Sequence, residues 1–198
     1  MKNEAIYREI FINNTIRLVA QGGFEVATTR AISGDRRQIN NIKLNEAHIY
    51  RVFGSKEALF AQTFATLDDE LVDCVKQGLS SFEKDRDFRS EFEQLFMKLW
   101  YFLLQNESKL RYYTRYYHST YFQNDIYAEH VTKYTPIIQA MTPFFAKGAD
   151  VWSLLHHVIT TMLEFATRIY NGTLENTPAS AMHIFNVAYS SIAAYLIS

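Results

Sequence analysis

The side chains with the densest recognition chemistry lie between Leu44 and Phe60, where Asn45, His48, Tyr50, Arg51 and Lys56 follow one another closely. Together they offer hydrogen-bond donors and acceptors, and Arg51 and Lys56 add positive charge. That mixture suits noncovalent reading of a polar partner. Asn45 is a good N-cap for a short helix from Leu44 to Tyr50, which runs into an aromatic stop at Phe53 and then Gly54. Ser55 can cap the helix that follows, since each of these side-chain oxygens can accept from an orphan amide of a first turn. The first helix is too brief to be stable alone, so tertiary contacts must hold it.

A second concentration of chemistry spans residues 108–122, with Tyr112, Tyr113, Tyr116, Tyr117, Tyr121 and Phe122. Helical spacing puts Tyr113, Tyr116 and Tyr117 on one face. Such a face is either an amphipathic surface whose phenol rims are half wet or the wall of a small-molecule pocket, where rings stack on flat ligands or cradle a cation.

Catalytic machinery is not legible. His156 and His157 are consecutive and point about 100° apart on a helix, a poor geometry for sharing a metal. His118, His130 and His183 are scattered, and Ser119 beside His118 lacks a placed acid. Phosphate-binding glycine loops, zinc-protease motifs and nucleophile elbows are missing. The chain reads as a non-enzyme without catalytic residues, metal ligands or cofactor.

Composition bounds what positions these residues. At 198 residues and 48% apolar content, the chain can bury one sizeable core or two small ones. A net charge of −1 conceals an asymmetry: residues 1–56 hold nine basic against five acidic side chains, and the remainder eleven against sixteen. Opposite-signed halves fit a polyanion-binding head on an acidic body. Cys74, the lone cysteine, excludes an internal disulfide and sits among Leu71, Val72 and Val75 as a buried thiol. The N-terminus reads as an amphipathic helix rather than a secretory signal, and no apolar run approaches the roughly 18 residues of a membrane span, so a cytoplasmic location without membrane contact is expected.

In chain order, Ile6, Ile10, Phe11, Leu18 and Val19 predict a helix over 3–22 that ends at Gly22-Gly23. Thr28 or Thr29 caps a second helix, either doing nothing more or also taking a phosphate at its positive end. Arg36, Arg37 and Lys43 form the densest basic patch of the first half, as a solvated loop or as phosphate contacts. From Ser55 to Phe82 one apolar stripe runs through Phe60, Phe64, Leu67, Leu71, Val75 and Leu79, followed by a charged connector. Helices are then expected over 88–105 and 124–145, the latter kinked or interrupted at Pro136 and Pro143. Residues 151–198 carry only three charged side chains, Glu164, Arg168 and Glu175. Two helices there, about 150–171 and 178–197, are too poor in charge to be ordinary surface helices and too polar to span a membrane. They are expected to pair with a second copy as a four-helix bundle, with Ala188, Ala193 and Ala194 allowing close approach.

The run Ile49-Tyr50-Arg51-Val52-Phe53-Gly54-Ser55-Lys56-Glu57-Ala58-Leu59 resembles the recognition-helix signature of TetR-family transcriptional repressors. Thr15 to Phe24 is similar to that family's first-helix ending, and Ala27 to Ser33 to the start of its second helix. The chain departs from the pattern twice. Seventeen positions separate Ser33 from Tyr50, so about six extra residues lie within Gly34–Lys43, lengthening the turn or extending the second helix with Ile39 and Ile42 as anchors. Glu46 stands where basic or small residues are common; a carboxylate beside phosphates is unfavourable unless it accepts from a cytosine amino group.

The resemblance implies an all-α protein of about nine helices, with a helix-turn-helix DNA-binding domain over 1–56 and a ligand-binding and dimerisation domain over 57–198. It implies a homodimer whose recognition helices enter successive major grooves of operator DNA about 34 Å apart. Thr28, Thr29, Arg30, Asn45, His48, Tyr50, Arg51 and Lys56 are the DNA-binding candidates, with Tyr50 and Lys56 on matching motif positions. The family's pocket lies among the middle helices, which makes Trp100, Tyr113, Tyr116, Tyr117 and Tyr121 the ligand-binding candidates. An apolar or aromatic inducer would favour a pose whose heads are too far apart to grip both half-sites. The rival reading is a small-molecule-binding dimer of the same fold without sequence-specific DNA binding.

Overall fold

The computed structural model describes residues 2–34, 44–82 and 87–197. Among these residues the helices are, in order, α1 (Lys2–Gly22), α2 (Thr29–Gly34), α3 (Glu46–Phe53), α4 (Lys56–Leu79), α5 (Phe88–Leu103), α6 (Glu107–Tyr117), α7 (Asn124–Met141), a 3-10 turn (Thr142–Phe144), α8 (Val151–Tyr170) and α9 (Pro178–Ala193). The expected all-α class is what the structure has, and an isolated antiparallel bridge joins Phe145 to Leu196. The chain divides into two compact units. The first comprises Met1–Asp68 and Glu107–Glu129, the second Asp69–Asn106 and His130–Ser198.

In the first unit α1 packs against α2, α3 and α6 around Phe11, Val19, Ile32, Ile49, Phe60 and Phe64. Burying each such side chain contributes about 1.5–3 kcal/mol, which is what a helix as short as α3 depends on. The helix starts at Glu46 rather than Leu44 and continues through Phe53 rather than ending at Tyr50. Ile49, Val52 and Phe53 recur at spacings of three and four and are all buried, so core packing carries the helix one turn further. It stops where Gly54 takes φ +83° and its N–H donates to the Tyr50 carbonyl at 2.9 Å.

In the second unit α5, α8 and α9 pack together around Phe96, Met162, Ile184 and Phe185. The long helix α4 ends at Leu79 rather than Phe82, because Ser81 and Phe82 fold back to donate to the carbonyls of Gly78 and Leu79. The Phe82 ring then packs on Phe88 and Phe144. Helix α7 runs through Pro136 unbroken, and the interruption falls at Pro143, inside the 3-10 turn. Asp87 caps α5 by accepting from the Ser90 N–H at 3.0 Å. Cys74 is buried, and that burial pushes its thiol above the ordinary value, as suits a structural residue.

Candidate functional site

The exposed face of α3 is built outward from its cap. The Asn45 side-chain oxygen accepts from the His48 backbone N–H at 3.1 Å, and the Asn45 backbone N–H donates to His48 Nδ1 at 3.2 Å. This reciprocal box commits Nδ1 as an acceptor, so the neutral imidazole carries its proton on Nε2. The Tyr7 ring of α1 stacks on the His48 ring with centroids 4.7 Å apart and planes 21° apart. On its other contact the same phenol lies 5.5 Å from the Arg51 guanidinium. One α1 side chain therefore orients two polar groups three residues apart on α3. Sequence reasoning missed Tyr7, because its only local signal is an aromatic at the polar margin of α1.

Tyr50 projects from the same helix and is 53% exposed, and Asn45 and Arg51 are exposed as well. Arg8 supports α3 from behind, donating to Gln62 and, at 3.4 Å, to the Val52 carbonyl while lying over the Phe53 ring. Lys56 opens α4 with its ammonium 5.5 Å from the Phe60 ring, and Ser55 caps that helix by accepting from the Ala58 N–H at 2.9 Å. At α2, Thr28 is the capping residue, its hydroxyl accepting from the Ala31 N–H at 3.1 Å. The neighbouring Thr29 hydroxyl donates to Glu46 Oε2 at 2.5 Å, tying the start of α2 to the start of α3. Arg30 is exposed, and buried Asn14 anchors α2 by donating to the Ile32 carbonyl at 2.9 Å. Arg36, Arg37, Ile39, Ile42 and Lys43, and with them the lengthened turn, lie outside the described residues.

The tyrosines expected to line a pocket do meet, but around one another. Tyr116 stacks on Phe64 at 4.8 Å, and Tyr113 on the same ring at 4.9 Å. Phe24 closes the cluster against Phe60, Tyr112 and Tyr121. The phenols are bonded internally: Tyr112 donates to the Phe60 carbonyl at 2.9 Å, Tyr113 to Asp68 Oδ1 at 2.9 Å and Tyr116 to the Tyr121 carbonyl at 3.2 Å. Burial, with the Asp125 carboxylate adding to it, pushes Tyr116 up to about 12, and burial also raises Tyr112 and Tyr117. These groups therefore stay neutral donors at any ordinary pH. Trp100, in the second unit, is buried with its ring 6.3 Å from Phe96.

A cavity of about 40 Å³ lies in the second unit, between Phe92, Leu99, Tyr134, Met141, Val158 and Met162 among others, and none of the five predicted ligand residues lines it. Its walls carry no charged side chain. That volume holds about a water or two, far below the roughly 300 Å³ or more of a ligand site, so a ligand there must push side chains apart. Two flexible methionines on the wall make such expansion cheap.

On α9 the exposed residues Met182, His183, Asn186, Val187 and Ser190 follow helical spacing without a formal charge, Met182 and Val187 being 36% and 41% exposed. Ala193 and Ala194 share this exposure, whereas Ala188 is fully buried in the chain's own core and is not available to a second copy. No helix among the described residues is long and apolar enough to cross a membrane.

No family model matches the chain, and no curated protein does. Solved structures do. A TetR family transcription regulator from Marinobacter aquaeolei VT8 is 22% identical, with a TM-score of 0.75 over 96% of this chain and 97% of that one. A TetR-like transcriptional regulator from Rhodococcus sp. RHA1 is 14% identical, with a TM-score of 0.66 over 96% and 97%. The fatty acid degradation regulator FadR from Bacillus halodurans is 12% identical, with a TM-score of 0.63 over 91% and 93%. With these similarities running over nearly its whole length, the chain has the fold of the TetR-family transcription regulators.

Proposed function

We propose that the protein is a ligand-responsive transcription regulator that grips operator DNA as a homodimer and works in the cytoplasm by binding rather than catalysis. The observation that carries this reading is the outer face of α3: a capping box holds Asn45 and His48, Tyr7 holds His48 and Arg51, and Tyr50 stands 53% exposed beside them. Preorganised donors on a short helix are what base reading in a major groove requires. Thr28, Arg30 and Lys56 would contact phosphates, which set affinity and register rather than sequence preference, while the Thr29 hydroxyl is committed to Glu46. In this division of labour residues 1–56 read DNA and residues 57–198 bind ligand and dimerise.

The exposed stripe of α9, whose own residues carry no formal charge and at whose edge Arg89 of α5 donates to Asn186 at 2.6 Å, supplies the dimer face together with α8. The inducer is an uncharged apolar or aromatic molecule that enters the second unit through the apolar cavity, whose lining offers nothing to pair a charge. Its binding shifts the dimer towards a pose with wrongly spaced heads and so relieves repression; a preference of a few kcal/mol is enough. Trp100 belongs in this scheme to the packed surroundings within the second unit, and the named tyrosines to the aromatic cluster within the first, where their rings are already engaged.

One observation favours a second reading. Glu46 puts a carboxylate on the α3 face that would meet phosphates, which suits a small-molecule-binding dimer of this fold indifferent to DNA sequence. Fluorescence titration of the full chain with genomic DNA fragments at two salt concentrations separates the two. Tight binding that prefers certain fragments and weakens steeply with salt supports the regulator; equal, weak binding to all fragments removes it.

A further inference from the structure

Glu46 is the first residue of α3, it is exposed, and it stands on a face otherwise made of donors and cations. An isolated carboxylate there would swing away from DNA. Here it does not swing freely, because Oε2 accepts from the Thr29 hydroxyl at 2.5 Å, and Thr29 is itself the first residue of α2. The bond spans two helices that pack on each other, so the carboxylate has a set position beside Asn45 and one turn before Tyr50.

A fixed acceptor at the leading end of a groove-reading helix has only a few favourable partners. In the major groove guanine presents O6 and N7 and thymine presents O4, all acceptors that repel a carboxylate. Adenine offers its amino group, but with the N7 acceptor beside it. Cytosine alone presents an amino donor with no acceptor of its own in that groove. The electrostatic penalty that makes Glu46 look out of place against phosphates thus becomes discrimination among bases: any half-site lacking the donor leaves the carboxylate desolvated with Thr29 as its one partner.

We propose that Glu46, latched by Thr29, is a specificity-determining residue that selects cytosine at one position of each operator half-site. This rests on the reading of α3 as the DNA-reading helix. Thr29 is the positioning residue, and the Gln variant predicts a change of base rather than a mere loss, because glutamine can both donate and accept and so matches the N7 and amino pair of adenine.

The test is selection from randomised duplexes with the full-length wild type, Glu46→Gln and Thr29→Val, reading base frequencies at every position. The wild type is expected to return a two-fold symmetric site with one cytosine per half-site favoured by about tenfold. Glu46→Gln should move that position towards adenine with the rest of the site intact, and Thr29→Val should flatten the same position only. Both side chains lie at the surface margin, and helical content measured by circular dichroism checks that each variant is folded. If Glu46→Gln selects the wild-type site and merely binds it more tightly, the carboxylate is only a repulsive charge and the proposal is overturned while the DNA-reading function stands. If the wild type selects no sequence at all, both are overturned together.

Discussion

The ring of Tyr7 lies flat against that of His48, 4.7 Å between centroids, while its other contact is the guanidinium of Arg51 at 5.5 Å. A residue of the first helix thereby sets the orientation of two groups on the third. Stacking and cation–π contacts of this kind contribute about 0.5–1.5 kcal/mol each. Tyr7→Leu should therefore weaken operator binding by about three- to tenfold and lower the thermal midpoint by a few degrees, whereas Tyr7→Phe should bind as the wild type does. Equal binding by the leucine variant in a fluorescence titration would show that the two side chains need no help from α1.

Lys56 stands at the first turn of α4, where its ammonium leans over the Phe60 ring. Removing it as Lys56→Ala should weaken binding about equally for every DNA sequence and lower the slope of log affinity against log salt by about one per subunit. Arg51→Ala, by contrast, should change which sequences are preferred. A titration series over salt concentration with two unrelated duplexes distinguishes a phosphate contact from a base contact.

His156 on α8 sits between the Trp152 ring, 5.2 Å away, and the rest of the second unit. Burial, and after it the charges of His130 and His157, hold its imidazole below the ordinary 6.5. The sign follows from linkage: the folded state prefers the neutral ring, so the unfolded chain takes up the proton first as pH falls. The contribution to stability is fully present above 6.5 and is lost as the pH drops through the folded-state value. Urea denaturation at pH 7.5 and pH 5.5 should show a loss on acidification that His156→Gln reduces; an identical loss in the variant assigns the effect to other groups.

Val187 is 41% exposed on the charge-free stripe of α9. Val187→Glu should leave the single chain folded, since the side chain already faces water there, and should shift the sedimenting species at micromolar concentration from dimer to monomer. A wild type that sediments as a monomer would remove this face, and with it the two-headed grip on DNA.

What the sequence by itself determined are the features whose causes are local. The caps at Asn45 and Ser55, the stops at Gly22 and Gly54 and the helical stretches from α4 to α9 rest on a few neighbouring residues and one periodicity, and they stand within a few residues of where they were expected. The all-α class was what the resemblance of Ile49–Leu59 implied, and the helical spacing of apolar residues along the chain agrees with it. Tertiary structure decided what depends on which faces meet. The extra turn of α3 comes from burial of Val52 and Phe53, and the inward turn of Tyr113 and Tyr116 from Phe64, a partner on another helix. The cavity beside Phe92 and Met162 was not legible either, since a void is what remains after side chains from several helices have packed. Tyr7 beneath His48, and Thr29 holding Glu46, join residues far apart in the chain, and no local pattern encodes the meeting of two helix surfaces.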